Sequence, residues 1–132
     1  MKKLAPLIKL SAIFLFLVLV DQLTKFVFPI THINSGISFG LASGLEPWLL
    51  VILLVGVWFA IEFISKTQFF LKRLMSIFFL AGAVSNLFDR LFLGGVRDWW
   101  QWPIFNFSNN LADVWITIGL LGIIYFEIWN KK

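Results

Sequence analysis

The sequence predicts an all-α integral membrane protein. Four transmembrane helices leave both termini in the cytoplasm, with a small irregular or β region in the outer loops. Three observations carry that prediction. Of the 132 residues, 60% are hydrophobic and 14% charged, where a water-soluble domain holds about 25% charged residues. The mean hydropathy is +0.90. The third observation is placement, because each apolar stretch carries its polar residues toward one end. Composition also excludes chemistry. Zero cysteines remove disulfides, thiol nucleophiles and thiolate metal sites. The single histidine, His32, leaves no cluster for zinc or a haem ligand pair, so no metal is expected.

A hydrocarbon core about 30 Å thick needs roughly 20 helical residues. Four stretches meet that length: Leu7 to Phe28, Trp48 to Ser65, Leu74 to Leu93, and Asn110 to Trp129. With both termini inside, the inner side holds Lys2, Lys3, Lys9, Lys66, Lys72, Arg73, Lys131 and Lys132. The outer side holds Lys25, Arg90 and Arg97. This bias orients the bundle. It also accounts for the net charge of +4 through cytoplasmic loops and anionic lipid heads, so no nucleic-acid partner is expected. Met1-Lys2-Lys3 and the apolar run after it look like a signal peptide. However, Asp21-Gln22-Leu23-Thr24-Lys25 follows with no Ala-x-Ala-like site, which predicts a retained first span.

The outer loops, 29–47 and 94–109, are rich in Gly, Pro, Asn and Ser, and short strands are expected in the first. Trp99, Trp100 and Trp102 suit an interfacial aromatic belt. The inner loop from Lys66 to Arg73 is short and basic. No internal repeat or linker interrupts the chain, so residues 1–132 are expected to form one domain.

The polar clusters of three spans fall in one leaflet. Asp21, Thr24 and Lys25 share a helix face through i, i+3, i+4 spacing. Gly82, Asn86, Asp89 and Arg90 end the third span, while Asn110, Asp113 and Thr117 begin the fourth. Charges at membrane depth are costly unless paired or hydrated, and they mark function. Asp21–Lys25 reads as an i, i+4 pair, and Asp89 or Arg90 as a cap or a bridge between helices. Glu62 and Glu127, near the inner ends, are expected to snorkel, and His32 reads as an ordinary loop residue. Asp98 and Asp113 differ, since neither has a basic residue one turn away. Two carboxyls held close cannot both ionise easily. Such a pair can activate water and protonate a leaving amine.

Two other readings compete. A serine–lysine peptidase would use Lys25 as base and Ser35 or Ser38 as nucleophile, but Asp21 one turn away favours the charged lysine. A small transporter or scaffold subunit would spread its polar residues through the midplane, whereas these gather at one leaflet.

Several motifs follow one another along the chain. They are Asp21-x-x-Thr24-Lys25, Asn34-x-Gly36-x-x-Phe39-Gly40, Gly82-Ala83-x-x-Asn86-x-x-Asp89-Arg90, Val96-x-Asp98, and Asn110-Leu111-Ala112-Asp113. This order resembles the lipoprotein signal peptidases (signal peptidase II), four-span aspartic endopeptidases of the bacterial inner membrane. The resemblance implies that Asp98 and Asp113 are the catalytic dyad. It implies that Asn34, Asn86, Arg90 and Asn110 position substrate and catalytic groups, and that Asp21, Lys25 and Asp89 support the site. It further implies a site at the outer face, no metal or organic cofactor, and contact with membrane lipids. The implied substrates are prolipoproteins cut just before a cysteine that already carries diacylglycerol. Two features depart from the family pattern. The first outer loop is shortened, and the usual Phe-Asn-x-Ala-Asp lacks its phenylalanine here. The dyad-supporting asparagine is therefore Asn110, which keeps one-turn spacing to Asp113, or Asn106.

Overall fold

The computed structural model describes residues 4–35, 56, 70–105 and 107–129. Among them are three long helices: α1 (Leu4–Val27), α2 (Phe70–Leu93) and α3 (Leu111–Trp129). Each contains a segment long and apolar enough to cross a membrane. They match the first, third and fourth expected spans to within a few residues. The second, 48–65, lies outside the described residues apart from Gly56, as does Glu62.

The described helices bury polar side chains and expose many large apolar ones. Among the described residues the largest fully buried side chains are Lys25, Val96, Asn110, Asp21, Asp89, Asp98 and Ser85, and of these Val96 alone is apolar. Meanwhile Leu15, Phe16, Leu19 and Phe26 of α1 are exposed. Leu10, Leu17, Asp21 and Lys25 form the buried stripe of α1, so one helix face is apolar at one end and charged at the other. α2 packs most extensively against α3, and small residues permit the approach. A Cβ on Gly82 would strike the carbonyl oxygen of Ala112, and one on Gly119 the backbone of Phe79.

Short strands cap the bundle at one end. β1 (His32–Asn34) pairs antiparallel with β2 (Val96–Asp98), setting His32 opposite Asp98 and Asn34 opposite Val96. The strand structure expected within residues 29–47 is thus present near the start of that segment, and 36–47 lie outside the described residues. β3 (Trp100–Gln101) turns back to pair with β4 (Ser108–Asn109). Gly94, with φ of +74°, ends α2 in the left-handed conformation that glycine adopts without a Cβ penalty. The chain can then turn directly into β2. An aromatic ladder runs along the second strand pair. Phe28 stacks on Trp99 at 4.5 Å, and Trp100 on Trp102 at 5.3 Å.

Candidate active site

The hairpin register explains how two aspartates distant in sequence come together. Trp100 lies opposite Asn109 and Gln101 opposite Ser108, and the Trp99 N–H donates to the Asn109 carbonyl at 3.2 Å. The strand after Asp98 therefore returns beside it at Asn110, where α3 begins. Thr31 holds the other side, its N–H donating to the Asp98 carbonyl at 2.9 Å.

Asn110 is the N-cap of α3. Its Oδ1 accepts the Asp113 N–H at 3.1 Å, and Asp113 Oδ2 accepts the Asn110 N–H at 3.3 Å. This is a capping box with aspartate at its third position. The same Asn110 side chain donates from Nδ2 to Asp98 Oδ1 at 2.7 Å. One asparagine thus ties both carboxyls together, in keeping with the one-turn spacing of Asn110 to Asp113; Asn106 lies outside the described residues. Burial, with the Asp113 charge nearby, pushes the Asp98 carboxyl up to about 6. A carboxyl in that state holds a proton more readily than one in water.

Behind this pair stands a framework of buried charge. Asn86 donates from Nδ2 to Asp113 Oδ1 at 2.9 Å and accepts from Lys25 Nζ at 2.9 Å. Lys25 also reaches Asp21 at 2.7 Å and Asp89 at 3.3 Å. Two carboxylates and an amide oxygen thus surround the Lys25 amine, a setting that favours the ammonium over a free base aimed at a serine. The expected Asp21–Lys25 pair exists, but Asp21 does more than balance a charge. Its Oδ1 accepts the Ala112 N–H at 2.7 Å, and its Oδ2 accepts the Ser85 hydroxyl at 2.7 Å. A carboxylate of α1 thereby satisfies an orphan amide in the first turn of α3.

Of the residues singled out from sequence, seven join this web: Asp21, Lys25, Asn86, Asp89, Asp98, Asn110 and Asp113. Arg90 lies within electrostatic reach of Asp113, Asp98 and Asp89, and its Nη1 donates to the Asn86 carbonyl at 3.3 Å. Asn34 enters through strand pairing, opposite Val96 and two residues from Asp98. Asp89 bridges helices as expected. Two expectations need correction. Glu127 does not merely snorkel but pairs with the buried Lys72 of α2, because the packing of α2 on α3 brings the two side chains together. His32 is not placed in a featureless loop, since β1 sets it directly across from Asp98. Sequence reasoning missed Gln22, Ser85 and Arg97, all of which bond to the framework. A weak signal existed in the i, i+4 spacing of Ser85 and Asp89. Among the described residues no group of three or more His, Asp or Glu side chains is arranged to hold a metal ion.

Such a site can do acid–base chemistry on a bond presented at the end of a helix bundle. Comparisons with known proteins agree. The family model of signal peptidase (SPase) II matches residues 13–129. The lipoprotein signal peptidase of Fusobacterium nucleatum is 30% identical, over 91% of this chain and 87% of that one. That of Burkholderia mallei is 34% identical, over 95% and 89%. A solved structure of a bacterial membrane enzyme superposes with a TM-score of 0.76 at 28% identity, covering 94% of this chain and 92% of that one. The chain, a membrane protein with buried carboxyls gathered at one end of its helices, belongs to the signal peptidase II family of lipoprotein-processing proteases.

Proposed function

We propose that Asp98 and Asp113 are the catalytic dyad of this signal peptidase and cleave a prolipoprotein just before its diacylglyceryl-modified cysteine. The observation that carries the reading is Asn110, whose side chain bonds Asp98 and caps the helix that starts at Asp113. Asp98, whose carboxyl is pushed up to about 6, is the proton holder. Asp113, with both oxygens accepting hydrogen bonds, is the base. It takes a proton from water as the water oxygen attacks the scissile carbonyl carbon. Asp98 then gives its proton to the leaving nitrogen as the C–N bond breaks, and a proton shift within the pair restores the starting state. Arg90 and Asn34 flank the pair and orient the substrate.

The site faces the outer compartment in this reading, in one domain spanning residues 1–132 and crossing four times. Helix direction supports the crossing number. The ends that carry the buried polar network are C-terminal in α1 and α2 and N-terminal in α3, so α1 and α2 run the same way. The chain must return across the bilayer between them, and 48–65 is the apolar stretch available. The Lys and Arg bias then puts both ends in the cytoplasm. The aromatic ladder of 99–107 lies at the lipid–water boundary, where a diacylglyceryl group stays in lipid while its peptide reaches the dyad. Apolar burial of about 0.8 kcal/mol per CH₂ makes that lipid a strong anchor.

Purified protein in detergent, given lipidated and unmodified precursor, tests this reading. Asp98→Asn and Asp113→Asn should each abolish turnover at normal expression. The double variant should be scarcely worse, because residues acting as a unit are not additive. Appreciable turnover by either single variant would overturn the dyad. Equal cleavage of the unmodified precursor would remove the role of lipid.

A further inference from the structure

The strand that carries Asp98 is fastened to the helices through its neighbour Arg97. Asp89 Oδ2 accepts the Arg97 backbone N–H at 3.0 Å and its Nε–H at 3.3 Å, and Asp89 Oδ1 accepts Nη2–H at 2.9 Å. The same Nη2 donates to Oε1 of Gln22 at 2.6 Å. The Gln22 amide nitrogen donates in turn to Asp89 Oδ1 at 3.0 Å, to the Ser85 hydroxyl at 2.9 Å and to the Ser85 carbonyl at 3.2 Å. Backbone and side chain of one strand residue are thus held by a single carboxylate at the end of α2, with a second clasp from α1. Alternation along a strand turns residues 97 and 98 to opposite faces, so Arg97 engages Asp89 and Gln22 while Asp98 engages Asn110 at the start of α3. The other aspartate is held in a related way, since Ala112, its preceding neighbour, donates its N–H to Asp21.

Charge counting points the same way. Lys25 alone leaves one of the two buried carboxylates, Asp21 and Asp89, unbalanced. Arg97 adds a second cation to the ion pairs that these two anions form, and its planar fork matches a carboxylate as a lysine ammonium does not.

We propose that Arg97, clasped by Gln22, is a positioning residue for the cleavage reaction, holding β2 so that Asp98 meets Asp113. This rests on the dyad reading. Because Arg97 bonds to Asp89 and Gln22, its loss acts on the chemical step more than on substrate binding.

The test is steady-state cleavage of a diacylglyceryl-modified prolipoprotein by the parent, Arg97→Ala, Arg97→Lys, Gln22→Ala and Asp98→Asn, each normalised to folded protein. Arg97→Ala should lower kcat roughly 100-fold with KM changed less than about threefold, the scale expected for a displacement near 1 Å. Arg97→Lys, which keeps charge but loses the fork, should recover part of that and stay roughly tenfold below the parent. Gln22→Ala should fall about tenfold, and adding it to Arg97→Ala should cost little more, because the two act as one clamp. If Arg97→Ala does not accumulate, Arg97→Lys decides alone. A kcat within about threefold of the parent in the deciding variant, or a loss confined to KM, overturns the proposal. An inactive Asp98→Asn beside that result leaves the dyad standing. An active Asp98→Asn removes both.

Discussion

α2 buries charge at both of its ends, and the two ends differ in how they do it. Near its start Lys72 pairs with Glu127 of α3, and one turn on, the Ser76 hydroxyl has no hydrogen-bond partner among the described residues. Near its finish Ser85, Asn86 and Asp89 each bond to at least two groups from other elements. The Lys72–Glu127 pair pins two helices, and apolar side chains of similar volume often replace such a pair at little cost. A connected network is another matter, because removing one member strands the others in low dielectric. The comparison separates charge that holds the bundle from charge that shapes the site.

The most severe way to break the distinction is Lys25→Met. It leaves Asp21 and Asp89 buried without the cation they share, at a cost of about 3–5 kcal/mol. That is a large part of a typical folding stability. Inserted protein and its thermal unfolding should both drop, and a stable, active variant would show that the two ends are alike.

Asn110→Ala sharpens the site half. It removes the bond to Asp98 and the cap on α3, so turnover should fall about 100-fold for about 2–4 kcal/mol of stability, the lost cap plus a buried acceptor left unpaired. If kcat and unfolding temperature decline in proportion instead, Asn110 is merely a cap.

Acidity gives the third measure. The Asp98 carboxyl sits at about 6 against an ordinary 3.8, so the folded state favours its neutral form. The stability this confers is fully present below pH 3.8 and is lost as pH rises through about 6. Asp98→Asn carries no such penalty. Its stability relative to the parent should rise across that window and level off, by no more than about 3 kcal/mol. A difference independent of pH would contradict the burial of a charge there.

The smallest effect belongs to the other end of α2. Lys72→Met combined with Glu127→Leu should stay within about 1 kcal/mol of the parent and retain turnover, while Lys72→Met alone should be the less stable of the two. Unfolding curves of the three proteins check this.

Much of this was legible in the residues. Helical spacing placed Asp21 with Lys25 and Asn86 with Asp89 and Arg90, because neighbours one turn apart share a face whatever the rest of the chain does. Gln22 escaped notice because it sits one position off that pattern, and its partners Ser85 and Arg97 lie on other elements. Arg97 escaped because its carboxylate is across the turn at Gly94, where no helical or strand period applies. One-turn spacing to Asp113 favoured Asn110 over Asn106 in the sequence, but the bond from Asn110 to Asp98 depends on the β3–β4 register, which no local period encodes.

Composition and periodicity by themselves determined that apolar helices would carry polar ends, since a helix satisfies its own backbone in lipid and its period is local. They also picked out Asp98 and Asp113 as carboxyls without a cation one turn away. Which acceptors surround Lys25, which carboxylate caps α3 and which clamp holds β2 were decided by tertiary structure. Lys25 and Asn86 lie 61 positions apart, and a buried polar group takes whichever partners packing brings within about 3 Å, not those nearest in sequence.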